Sequence, residues 1–272
     1  MKKYFYYLFL SAFLLAGCDL DNNLFNAEKL TSYKLPGNTI PDSLISRVSF
    51  KSGRNTLYGF LVTGENNGAT KTILYFHGNK HNIDEYWDRV MYLHGLGVNV
   101  FVFDYLGFGM SEGESSEASL YEDGLAALNY LRSLKNMWTQ DVTYYGYSLG
   151  NVVSIHLAAE VASPARLVAE SPFASAASLT QGSLVLDIPA GWLTSGKFDN
   201  LAEIPKIKCP FMLLHGSDDD FVRFRDNGQL IFNAAPNPKY LVLVQGANHI
   251  NVPETLTIPA YQDTLRFFLG SK

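Results

Sequence analysis

Residues 142–160 read VTYYGYSLGNVVSIHLAAE: a run rich in β-branched and aromatic residues, then Gly146-Tyr147-Ser148-Leu149-Gly150, then a helix-compatible segment. The pentapeptide fits G-x-S-x-G, the nucleophile-elbow pattern in which a serine sits on a sharp strand-to-helix turn. Such a turn demands glycine two positions to either side, because side chains there would collide with neighbouring backbone. It also lifts the Ser148 hydroxyl to the edge of the sheet. A helix starting at Leu149 adds its first amides and the positive end of its dipole beside any carbonyl brought to that serine.

Outward from the elbow the same texture recurs. TILYF (72–76), VNVFVFD (98–104), ARLVAE (165–170), PFMLLHG (210–216) and YLVLVQG (240–246) are short apolar runs of the buried-strand kind. Residues 83–94, 116–135, 149–160, 223–234 and 259–269 carry helical spacing between them. RVSF and TLYGFLV, ahead of these, predict an opening β-hairpin. The alternation predicts a mostly parallel, doubly wound α/β sheet flanked by helices, in one domain over 45–272. Ligands of such sheets sit beyond the carboxyl ends of the strands, so the residues just after each strand carry the functional information. The composition, 47% apolar and 17% charged, is that of a globular chain. A net charge of −5 without a basic block predicts no nucleic-acid surface.

A serine hydroxyl needs a general base, usually a histidine oriented by a carboxylate. Of six histidines, His249 in VQGANHIN stands just past the last strand among small residues, where a loop can bring it over the sheet edge. His156 lies on the helix after the elbow and His94 at a helix end, both structural positions; His77 and His215 stand in His-Gly turns at the rim. His77 and His81 have i, i+4 spacing, but HGNKH is no helical sequence and a third ligand is missing, so no metal site is predicted. FVFDYLGFGMSEG places Gly107, Gly109 and Gly113 one residue off the dinucleotide fingerprint; it reads as a structural turn, and no cofactor is expected. The carboxylate should follow a strand between nucleophile and base, where LLHGSDDDFV offers Asp218, Asp219 and Asp220.

Four stretches in order, LYFHGN (74–79), DYLGFGMSEG (104–113), GYSLG (146–150) and HGSDDDFV followed by GANH, resemble the α/β-hydrolase superfamily. The likeness runs from about residue 46 to the end. It is to serine hydrolases with a small cap, often grouped with Bem46-type and depalmitoylase-like proteins. In that pattern the acid stands three residues after the glycine of His-Gly and three before a valine. The resemblance therefore implies Asp219, between Gly216 and Val222, with Asp218 as runner-up. It also implies an oxyanion hole from the backbone N–H of Asn79 and that of Leu149. Leu106 replaces a frequent arginine, and Lys80-His81 replace small residues, which puts the support of Asp104 and the mouth of the pocket in question. The implied activity is cleavage of small-molecule carboxylic esters or thioesters of short- to medium-chain acids. A serine peptidase and a non-catalytic envelope-binding lipoprotein are the alternatives. Residues 171–206 form the expected short cap, where Phe173, Leu186 and Trp192 either line an acyl pocket or bury the cap on the sheet.

The amino terminus, MKKYFYYLFLSAFLLAGCDLDNN, has two lysines, an apolar run over 4–15 too short to span a membrane comfortably, and Leu15-Ala16-Gly17-Cys18. It reads as an export signal over 1–17. Leu-Ala-Gly-Cys resembles the bacterial lipobox, which implies acylation of Cys18 and a protein lipid-anchored to a membrane in the bacterial cell envelope. Each buried acyl methylene contributes about 0.8 kcal/mol to such anchoring. Cys209 is then the only remaining thiol. Residues 18–44, with Pro36, Gly37 and Pro41 and no sustained periodicity, are expected to be a tether.

Overall fold

A computed structural model describes residues 25–64, 71–134, 141–182 and 197–270. In chain order the strands are β1 (Asn26–Ala27), β2 (Ile45–Ser52), β3 (Asn55–Val62), β4 (Lys71–Phe76), β5 (Lys80–His81), β6 (Asn99–Phe103), β7 (Asp141–Tyr147), β8 (Arg166–Glu170), β9 (Phe211–Gly216) and β10 (Lys239–Val244). The helices are α1 (Trp87–His94), α2 (Glu117–Ser133), α3 (Gly150–His156), α4 (Ala176–Gly182), α5 (Asn200–Glu203), α6 (Gly228–Ala234), α7 (Val252–Leu256) and α8 (Ile258–Leu269). Eight strands form one sheet in the order β10-β9-β8-β7-β4-β6-β3-β2. β2 pairs antiparallel with β3 and β3 antiparallel with β6, and every other neighbouring pair in this sheet is parallel.

Each central strand sends alternate side chains to opposite faces, as the two-residue period of a strand requires. Leu74, Phe76, Phe101 and Phe103 enter one core with Leu120, Leu128 and Leu131 of α2 and Val152, Val153 and Ile155 of α3. Ile73, Tyr75, Val100 and Val102 enter the other with Trp87, Val90 and Leu93 of α1 and Tyr261, Leu265 and Phe268 of α8. A two-sided apolar strand and a helix with one apolar stripe thus account for the layers. Ser116 caps α2 by accepting from the Ser119 N–H, while the Ser119 hydroxyl accepts from the Ser116 N–H, a reciprocal capping box. The register sets Phe76 beside Gly146, so the turn after β4 and the elbow after β7 emerge side by side.

The expected tether is corrected from Phe25 onward. Phe25 packs edge-on against Phe108 and Phe198, β1 pairs in parallel with β5, and the Tyr33 ring meets Phe60 at 5.1 Å. Lys34 and Leu35 donate their N–H groups to Asp84. Phe25, Tyr33 and Ile40 are all buried. Phe25 enters one core and Tyr33 and Ile40 the other, and they stand seven or eight residues apart in a segment with no sustained apolar run, so neither a helical nor a strand pattern betrays them. Residues 18–24, with Cys18, and the export signal lie outside the described residues, as do 183–196 of the cap with Leu186 and Trp192.

Candidate active site

Ser148 follows β7 and precedes α3 with φ at +50°, in the left-handed region that costs a non-glycine residue about 1–3 kcal/mol. The surroundings hold it there. Its N–H donates to the Glu170 carbonyl at 3.0 Å, and the Asn151 side-chain amide donates to both the Ser148 and the Glu170 carbonyls, at 3.0 and 2.8 Å. The flanking glycines are sterically required. A Cβ at Gly146 would stand 2.4 Å from Ser154 Oγ and 2.8 Å from Asn151 Cα, and one at Gly150 would stand 2.0 Å from the Phe76 carbonyl oxygen.

His249, on the loop after β10, brings Nε2 to 3.0 Å from Ser148 Oγ and Nδ1 to 2.7 Å from Asp219 Oδ2. Asp219 follows β9 and is buried, whereas Asp218 and Asp220 are exposed, so only the middle aspartate of the run meets the histidine. Burial pushes the Asp219 carboxyl up. Hydrogen bonds from His215, His249 and the Val222 N–H, with the His249 charge, outweigh that and hold it well below the usual carboxylate range. An ionised carboxylate only accepts, so the imidazole must carry its proton on Nδ1 and present a bare Nε2 to the serine. Asp219 Oδ1 accepts from the Val222 and Phe221 N–H groups at 2.7 and 3.2 Å, and His215 Nε2 approaches Oδ2 at 3.3 Å. His215 is buried behind the acid and supports it, a role that its place in a His-Gly turn at the rim did not disclose.

Ser148 and His249 open into a cavity of about 500 Å³. Asn79 lines it, and Leu149 begins the turn into α3 immediately beyond the serine. The loop carrying Asn79 is tied on both sides. Asn79 Oδ1 accepts from the Asn26 N–H at 3.1 Å, and the next N–H, of Lys80, donates to the Tyr86 hydroxyl at 2.7 Å. Tyr86, Tyr147, Phe221 and Ile250 supply apolar surface. Phe173 is corrected: it is buried in the core shared with α2 and α3 and does not line this cavity, because its chain segment turns inward where the Asn200 side chain donates to its carbonyl. His156 stacks on Tyr121 and pairs with Glu203, and His94 meets the Thr63 carbonyl, both away from the serine. Sequence reasoning missed Asn26, Arg89, Tyr147 and Phe221 in the cavity wall, since nothing in the spacing of an isolated arginine or asparagine marks such a place.

A family model described as serine aminopeptidase, S33, matches residues 67–195. The uncharacterized protein Rv2307c of Mycobacterium tuberculosis is 32% identical over 214 residues, which cover 78% of this chain and 74% of that protein. The α/β hydrolase domain-containing protein aho-3 of Caenorhabditis elegans is 32% identical over 202 residues, 73% of this chain; the match spans only 57% of that longer protein. Among solved structures, the Pyrococcus furiosus esterase Pf2001 superposes with a TM-score of 0.71 at 21% identity, covering 88% of this chain and 98% of the esterase. The mostly parallel sheet with Ser148 on a sharp turn after its fifth strand, the matching family model, the relatives 32% identical to this chain and the shared fold of the esterase place the chain in the α/β-hydrolase superfamily.

Proposed function

We propose that this protein is a serine hydrolase that cleaves carboxylic esters or thioesters of short- to medium-chain acids through an acyl-enzyme. The observation that carries the reading is the unbroken relay from Asp219 through His249 to Ser148, at 2.7 and 3.0 Å, ending in an open cavity. His249 takes the hydroxyl proton as Ser148 Oγ attacks the carbonyl, and Asp219 stabilises the imidazolium that forms. The amides of Asn79 and Leu149 receive the oxyanion, a contribution of about 3 kcal/mol per donor in a site that excludes water. The imidazolium then protonates the leaving group, and water, deprotonated in turn by His249, releases the acid. A cavity of about 500 Å³ with aromatic and aliphatic walls suits a small apolar acyl group. The small-cap, Bem46-type subgroup is the part of the superfamily this chain is proposed to join.

The description of the matching family model supports a second reading, amide cleavage at a peptide terminus. Matched p-nitrophenyl esters of two to ten carbons and amino-acid p-nitroanilides separate the two. Ester turnover that disappears in Ser148→Ala, with negligible anilide turnover, supports the first; dominant anilide turnover supports the second. Undiminished turnover in Ser148→Ala refutes both. The Leu-Ala-Gly-Cys sequence further supports a lipid-anchored protein exported to the cell envelope, with the acyl chains on Cys18. Labelled palmitate incorporated into the wild type and not into Cys18→Ala is the expected result.

A further inference from the structure

Beneath the His249 loop lies a buried ion pair that the acyl-transfer steps do not use. Arg89 of α1 donates from Nη2 both to Glu170 Oε1 and to the Ile250 carbonyl, each at 2.8 Å. Its side chain is 5% exposed and that of Glu170 fully buried. The guanidinium lies 4.1 Å from the centre of the Tyr147 ring, and the Tyr147 hydroxyl donates to the His249 carbonyl at 3.1 Å. Glu170 closes the set. Its Oε2 accepts from Tyr145, whose hydroxyl is 2.6 Å from that of Tyr261, while its backbone carbonyl accepts from the Ser148 N–H.

Burying an arginine and a glutamate costs desolvation that their attraction seldom returns in stability, so the pair calls for another reason. Its hydrogen bonds supply one. Two consecutive carbonyls of the loop bearing the catalytic imidazole, those of His249 and Ile250, are held by two side chains, Tyr147 and Arg89, that touch each other. The same Glu170 that anchors Arg89 anchors the nucleophile elbow through its backbone. We infer that Arg89 and Tyr147 are positioning residues that lock the His249 loop to the Ser148 elbow through Glu170, so that the 3.0 Å contact between imidazole and hydroxyl is present before substrate arrives. The inference rests on the serine-hydrolase reading above. A loop by itself does not keep a ring within hydrogen-bond reach of a partner on another element, and displacement by about 1 Å lowers a rate by about 100-fold.

Kinetics of the full chain with a p-nitrophenyl ester, read together with Tm, test it. Arg89→Met should lower kcat about 10- to 100-fold while KM stays within about twofold of wild type. Arg89→Lys, which retains charge and a donor but not the planar stack, should recover part of that loss. Tyr147→Phe keeps the ring and the ion pair and should lower kcat about threefold at unchanged KM. A folded Arg89→Met enzyme with kcat within twofold of wild type overturns the inference. So does a loss confined to KM, which would make Arg89 a substrate contact, or a kcat that Arg89→Lys does not raise above that of Arg89→Met. Should Arg89→Met fail to fold, Tyr147→Phe decides: wild-type kcat overturns the inference, and a fall in kcat alone supports it. Failure of the underlying reading is seen separately, as activity that survives Ser148→Ala.

Discussion

Two buried aspartates stand beside histidines at carboxyl ends of strands in this molecule. Asp219 and His249 face Ser148; Asp104 and His77 face only protein. The Asp219 carboxylate and the His249 ring are aligned at 2.7 Å, and the ring's far nitrogen reaches a hydroxyl in an open cavity. His77 Nε2 comes within 3.1 Å of Asp104 Oδ1 without hydrogen-bonding alignment, and both side chains are completely buried. Asp104 instead accepts from the Tyr33 hydroxyl at 2.6 Å and the Ile83 N–H at 3.0 Å, tying the amino-terminal segment and the turn before α1 to the end of β6. A histidine–carboxylate pair is therefore no site in itself. What distinguishes the first pair is a serine hydroxyl on its open side and a carboxylate oxygen aligned on the ring nitrogen, which holds one tautomer.

The comparison breaks most visibly in kinetics. Asp219→Asn should lower kcat by about 10³- to 10⁴-fold with the fold intact, because an amide no longer enforces the tautomer that leaves Nε2 bare; steady-state rates with a p-nitrophenyl ester and a far-UV spectrum check it. Asp104→Asn should do the reverse. It keeps one acceptor oxygen for two donors and should cost about 1–3 kcal/mol of stability, measured by urea unfolding, while kcat stays within about tenfold. A loss of activity comparable to that of Asp219→Asn, in a protein of wild-type stability, would erase the distinction between the two pairs.

A third buried carboxyl, Asp123 on α2, sharpens the point because it has no histidine at all. It accepts from the Leu106 N–H at 2.7 Å, yet burial pushes it up to about 6. The folded state thus holds its proton more tightly than the unfolded state. Stability falls as pH rises from the ordinary carboxylate range through about 6 and stays reduced above it. Asp123→Asn retains the acceptor without the charge, so thermal unfolding at pH 8 should show Tm raised by about 2–4 °C, with the gain much smaller at pH 4.5. For Asp219 the sign is opposite: its carboxyl is depressed, and the stability it confers is complete above the ordinary carboxylate range and is lost only as pH falls below that range.

The same contrast explains what a linear chain reveals. The α/β alternation was legible because buried strands and amphipathic helices each impose a period, and the elbow because Gly146 and Gly150 are forced by contacts under 3 Å. Ser148, Asp219 and His249 were legible as candidates because each follows a strand of a parallel sheet, where side chains converge. The folding of residues 25–44 onto the domain was not, since its buried residues are few and widely spaced, Phe25 entering one core and Tyr33 and Ile40 the other. Arg89 reads in sequence as one more charge on a helix, and only the approach of Glu170, 81 positions away, makes it part of the site's support. Phe173 stayed ambiguous for the converse reason: an aromatic in a cap segment fits a pocket wall and a core equally well until the chain's direction is known.

The most direct test of the central claim, that Asp219 and His249 make the Ser148 hydroxyl nucleophilic, is covalent trapping. The intact protein is treated with a fluorophosphonate, and the adduct is located by mass spectrometry of its peptides. The account predicts a single adduct on Ser148, formed rapidly in the wild type and at least about 100-fold more slowly in His249→Ala. An adduct on another residue, or none on a folded protein, would contradict it.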